Sequence, residues 1–249
     1  MRRLLPLVLL VATHALAGPD AILVPFDSGT YGRWSAEVWV RNEADHAVNL
    51  YPEQCYFIGL QVPCNFRIDV PAKTTMLLDT RPSDDLREPG LFLYVPEGEA
   101  GKISVGLRIR ALPDGPETEI PTVHFANMRV GRTELLNIPL RAGTTPTLRV
   151  YAQYAVNSLF VVRVYRIAGG GAPDQLLFER SFQQVLPTDG PPGPFLFDFS
   201  SALTDAAKLG ATRVRVSIEP TFPGGEFRYW PLVTVTDDLT RHVTTVTPQ

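Results

Sequence analysis

The sequence predicts an all-β protein, built as two tandem immunoglobulin-like or fibronectin-like antiparallel β-sandwiches, and three observations predict it. Ile103, Val105, Leu107 and Ile109 alternate with Ser104, Gly106, Arg108 and Arg110, the pattern of a strand with one dry face and one wet face. The same alternation recurs in 36–41, 64–70, 148–153, 160–165 and 213–218. Twenty-three prolines and 19 glycines punctuate the chain, so strands follow one another at short intervals with no long helical pattern between them.

The chain opens with Arg2 and Arg3, an apolar run from Leu4 to Ala12, and Ala15-Leu16-Ala17, the small-x-small pattern that signal peptidase accepts. Residues 1–17 therefore read as a cleavable secretory signal. The run falls short of the ~20 residues of a membrane helix, no later stretch approaches that length, and no cysteine follows to carry a lipid. The expectation is an exported protein, secreted or periplasmic, with no membrane span. Cutting the signal removes two arginines and no acid, which takes the formal charge from −3 to −5. Net acidity disfavours nucleic acid and anionic membrane as partners.

The first sandwich is expected over 18–122. Ile22 to Phe26 forms a short strand broken at Asp27-Ser28-Gly29, and Trp34 to Tyr51 reads as a β-hairpin turning at Asn42 to His46. A strand ending at Val70 is stopped by Pro71. Thr74 to Leu78 follows, then a proline-bearing acidic loop over 80–89, then Leu91 to Val95 and the alternating strand at 103–109. Cys55 and Cys64 enclose Gly59 and Pro63, and an oxidising compartment makes a disulfide their expected fate. Closing so small a loop would contribute about 2–3 kcal/mol.

Residues 123–132 read as the connection, with a short strand around Ile120 to His124, and 133–249 as the second sandwich. Its strands are expected at 135–140, 148–154, 159–167, 176–182, 195–199, 213–218, 230–236 and 243–247, with a glycine turn at Gly169 to Gly171. Ser200 or Ser201 as N-cap and Gly210 as terminator mark one short helix over 201–209.

Catalytic patterns are poorly supplied. Phe26-Asp27-Ser28-Gly29 resembles the catalytic loop of aspartic peptidases, but that mechanism needs two carboxylates sharing a proton, and neither Asp114-Gly115 nor Asp189-Gly190 carries the intervening hydroxyl residue. His46, His124 and His242 pair with no nucleophile elbow. Asp45-His46, Ser83-Asp84-Asp85 and Asp237-Asp238 are polar tips without metal-ligand spacing, so no cofactor is expected.

The wet faces carry the candidate contacts. In the first half these are Trp39, with Glu37 and Arg41 beside it, then Phe92, Tyr94, Arg108 and Arg110 around Gly106. In the second they are Arg149 with Tyr151, Arg163 with Tyr165, Arg213 with Arg215, and Arg228 with Trp230. Aromatic rings and guanidinium groups on a sheet form a platform for sugars or extended peptides. The same groups also stabilise sheets as cross-strand pairs, and Trp39 or Trp230 is alternatively buried between the two domains.

Trp34-Ser35-Ala36-Glu37-Val38-Trp39-Val40-Arg41-Asn42, Val233-Thr234-Val235-Thr236-Asp237-Asp238 and His242-Val243-Thr244-Thr245-Val246-Thr247-Pro248-Gln249 resemble a set of uncharacterised exported bacterial proteins made of paired β-sandwiches. The resemblance implies that fold and brings no activity, substrate or catalytic residue. The expected function is a non-enzymatic binding or structural module whose partner is a glycan, cell-wall material or a protein. The alternative is a periplasmic assembly chaperone with two immunoglobulin-like domains that donates a strand to its client. A hydrolase of unrecognised type is the third reading.

Overall fold

A computed structural model describes residues 20–26, 29–31, 34–52, 67–78, 90–152, 159–183, 195–221 and 228–249. Cys55 and Cys64, Asp27 and Ser28, and the acidic loop with Asp84 and Asp85 lie outside the described residues. The fold is all-β: four antiparallel sheets and a single α-helix among the described residues.

Ten strands make the first half: β1 (Asp20–Val24), β2 (Gly29–Tyr31), β3 (Trp34–Asn42), β4 (Val48–Pro52), β5 (Ile68–Val70), β6 (Thr75–Leu78), β7 (Leu91–Val95), β8 (Ile103–Ala111), β9 (Glu117–Ile120) and β10 (Val123–His124). One sheet has the order β10-β1-β7-β4-β5. The other has the order β2-β3-β8-β9, with β6 also paired to β3. Val38, Val40, Leu107 and Ile109 turn inward from the β3–β8 pair and join Ile22, Leu50, Val70 and Leu93 of the facing sheet in one core.

β3 and β4 do not form the expected hairpin, because they belong to different sheets. Asn42 explains the corner. It is fully buried, its amide donates to the carbonyls of His46 (2.9 Å), Val70 (2.9 Å) and Pro71 (3.1 Å), and its Oδ1 accepts from the Ala44 N–H (2.8 Å). One side chain thus bonds four backbone groups around the corner, three carbonyls and one N–H, where the chain crosses between sheets.

The second half holds β11 (Thr133–Pro139), β12 (Thr144–Ala152), β13 (Leu159–Arg166), β14 (Gln175–Gln183), β15 (Phe195–Asp198), α1 (Ser200–Lys208), β16 (Arg213–Thr221), β17 (Tyr229–Asp237) and β18 (Val243–Val246). Its sheets run β11-β16-β13-β14 and β15-β12-β17-β18, and Phe160, Val162, Val164, Val216, Leu148, Val150 and Val233 fill the core they share. The helix ends at Gly210 as expected, where φ is +78°. Its cap differs. Asp198 Oδ1 accepts from the Ser200 N–H (2.8 Å) and from the Ser200 hydroxyl, so the aspartate before the serines supplies the acceptor. α1 packs Ala202, Leu203 and Ala206 into the core.

The two halves share apolar contacts. β7 is buried at every residue and β1 at all but its first, so the sheet they centre is covered on both faces. Tyr151, Trp230, Leu232 and Val243 of the second half belong to the same buried cluster as these strands. The Tyr151 hydroxyl donates to the Pro25 carbonyl at 2.6 Å, the Arg149 guanidinium lies 4.9 Å from the centre of the Phe26 ring, and the Thr118 hydroxyl donates to the Val243 carbonyl at 3.3 Å. Val123–His124, expected in the connection, is a strand paired with β1.

Candidate functional site

This junction changes the list of wet-face residues. Phe92 and Tyr151 are wholly buried, Tyr94 and Trp230 nearly so, and none of the four presents a ring to solvent. Period-two alternation puts them on the second face of their strands correctly. That face meets another layer of protein rather than water. Tyr151 is opposite Trp230 across the β12–β17 pair, which places both on the side turned to the first half. Burial drives the Tyr151 phenol pKa up, away from any role as a proton donor near neutrality. Signals for this burial exist in the sequence: 91–95 contains no polar residue, and 229–233 is equally apolar.

Tyr165 is half-buried, and its ring lies beneath the Arg215 guanidinium at 3.9 Å. Arg215 is itself held by Asp174 (2.8 Å) and Glu134 (2.7 Å), and two residues from Tyr165 along β13 Arg163 bonds Glu179 and Glu219, each at 2.6 Å. Hydrogen bonds donated to Glu219 and Glu179 raise the Arg163 pKa still further, while burial opposes them. The outer face of the β13 sheet is therefore closed by its own ion pairs, and these arginines stabilise it. Arg228 is likewise engaged, 5.5 Å from the Phe125 ring and bonded to the Ala126 carbonyl (3.1 Å).

Trp39, Arg108 and Arg110 remain on the outer face of the β3–β8 pair. The register sets them out in rows across the strands. Leu77 of β6 faces Trp39, and Trp39 faces Gly106. The pairing of Leu107 with Ile120 then carries the row on to Pro121. The next row holds Glu37, Arg108 and Glu119, and the one after it Ser35, Arg110 and Glu117. A groove of about 840 Å³ follows this lattice, lined by Trp39, Thr75, Val105 to Arg108 and Glu119 to Thr122.

Trp39 is 38% exposed and Leu77 46%, so two large apolar side chains lie side by side on a solvated sheet face. The Trp39 indole N–H donates to Glu37 Oε2 (3.1 Å), which swings the ring along its own strand. A Cβ built on Gly106 meets nothing within 4 Å, so the indole opposite does not lie over the glycine and the space above it is open. The usual tenant of such a site, an aromatic ring covering a cross-strand glycine, is missing. Among the described residues Arg108 makes only long contacts, 3.5 Å to Glu119 and 3.9 Å to Glu117, and Arg110 makes no ion pair. The groove thus offers an apolar floor beside a hydrogen-bonding wall whose groups are not locked to one another. Gly106 is the residue that sequence reasoning undervalued: a glycine at the centre of a strand, where it weakens the sheet, signals close approach by another group.

The histidines have separate partners. His46 contacts Glu99 at 3.3 Å on the β3–β4 corner, and His124 contacts Asp20 at 2.7 Å across the β1–β10 pair. His242 sits in the exposed turn before β18. Among the described residues no group of three His, Cys, Asp or Glu side chains is placed to hold a metal ion, and no helix is long and apolar enough to cross a membrane. No protein-family model, no curated protein and no solved structure matches this chain.

Proposed function

We propose that the chain is an exported, non-enzymatic binding module of two tandem immunoglobulin-like sandwiches, and that the outer face of the β3–β8 pair is its platform for a polysaccharide. Exposed Trp39 beside the open floor at Gly106 carries this reading. A sugar ring stacks on indole through its C–H face, and Glu37, Arg108 and Glu119 stand at hydrogen-bonding reach of its edges. Cys55 and Cys64, joined as a disulfide, belong to the same proposal of export. Thiol alkylation of the unfolded, unreduced protein followed by mass measurement tests that bond, and two added labels would refute it.

Retention of residues 18–249 on insoluble polysaccharides and cell-wall material, run beside Trp39→Ala of verified folding, tests the platform. Retention abolished by the substitution supports it, and retention that survives the substitution refutes it. A second reading, strand donation to a client, has one observation in its favour. The nine-residue β14 pairs only with β13 among the described residues, leaving its other edge without a described partner. An extended client peptide protecting β14 amides from hydrogen exchange would favour that reading over the platform.

A further inference from the structure

Resting on that platform, we infer that its ligand is an uncharged polysaccharide lying across the strands, and that Gly106 determines which chains fit. Direction comes from the register. The apolar row runs Leu77, Trp39, Gly106, Pro121, perpendicular to the strands and spanning three strand spacings, about 14 Å. A ligand following a strand instead would leave Trp39 at once for Glu37 or Arg41. A ligand crossing the strands keeps an apolar surface under several sugar rings and a polar row along each side.

Charge decides the class. The rows flanking the floor hold Glu37, Glu117 and Glu119 against Arg41, Arg108 and Arg110, so the face carries no net charge. Arg108 stands between two of those carboxylates. A uronate or sulfated chain finds no net positive charge here to offset its own, whereas hydroxyl groups accept from the arginines and donate to the glutamates alike.

Gly106 shapes the fit. Its φ lies outside the range that favours glycine, and an added Cβ meets nothing within 4 Å, so the backbone itself does not require the glycine. A side chain at that position would fill the floor between Trp39 and Pro121. Gly106→Val therefore adds its bulk above the sheet, in the space a ligand on this floor would occupy.

The experiment measures binding of residues 18–249 to soluble neutral glucans, xylans and mannans, to polyuronates and to a proline-rich peptide, at low and high salt, for the parent, Trp39→Ala and Gly106→Val. The expected result is binding to a neutral chain, insensitive to salt and weakened about tenfold or more by either substitution, the loss of roughly one stacking contact. Polyuronate preferred, with Trp39→Ala still abolishing binding, overturns the neutral class and leaves the platform standing. Gly106→Val binding like the parent overturns the role of the glycine. Neutral chains bound equally by Trp39→Ala, or the peptide bound in their place, overturn the platform itself.

Discussion

Gly90→Ala tests the seam between the two halves. Gly90 precedes β7 with φ at +128°, and an added Cβ would lie 2.9 Å from Tyr151 Cε1 and 3.2 Å from the Pro25 carbonyl oxygen. The ring has nowhere to go, because its hydroxyl is anchored to that same carbonyl at 2.6 Å. Two costs combine: about 1–3 kcal/mol for a non-glycine residue in that backbone region and about 1–3 kcal/mol for overpacking a filled site. A loss of roughly 2–6 kcal/mol is a large share of an ordinary domain's stability. Gly106→Ala is the control. Nothing stands within 4 Å of its Cβ, and replacing a mid-strand glycine should contribute about 0.5–1 kcal/mol of stability. Guanidinium unfolding followed by tryptophan fluorescence reads both as midpoint shifts of opposite sign. If Gly90→Ala moves the midpoint no more than its control, Tyr151 is not seated against Gly90 and the halves do not meet there.

Trp230→Ala should cost about 3–5 kcal/mol and destabilise both halves, because the ring belongs to the shared cluster. Trp230→Phe should cost far less, since the indole N–H makes no hydrogen bond, and comparable losses for the two in a denaturation series would count against that account. Asn42→Ala should lose about 3 kcal/mol or more by stripping the β3–β4 corner of its bonds to three carbonyls, measured by the same unfolding experiment. Stability should also fall in acid. Burial works to raise the Glu134 pKa, but hydrogen bonds from Arg215 and Arg132 outweigh it, and Arg180 and Lys208 lower that of Asp205. With folded values depressed, the contribution is complete above the unfolded values of about 4 and is lost as pH drops through the folded ones. Denaturation midpoints should therefore be level from neutrality to about pH 5 and decline below about pH 4. A midpoint that rises on acidification would contradict the ion-pair assignment.

Local pattern was enough for most elements. The helix at 200–208, its terminating glycine and the eight strands of the second half lie within a few residues of where apolar periodicity and turn residues place them. The β3–β4 hairpin failed because a short polar turn between alternating segments reads the same whether the chain turns back within one sheet or crosses to the next. Only the bonds of Asn42 to Val70 and Pro71, far away in sequence, distinguish the two. The site divided in the same way. Trp39 has Glu37 and Arg41 as same-face neighbours, and it is exposed. Tyr94 has Phe92, and Trp230 has Leu232, and both are buried.

Strand identity, the all-β class and the two sides of each strand are properties of the sequence by itself, since alternation is a relation between residues two apart. Which of those sides meets water was decided only by the tertiary structure. The second half covers the outer side of β1 and β7, while the outer side of β3 and β8 stays uncovered at Trp39 and Gly106. Burial depends on what packs from a distance, and no period within a strand encodes its distant neighbour.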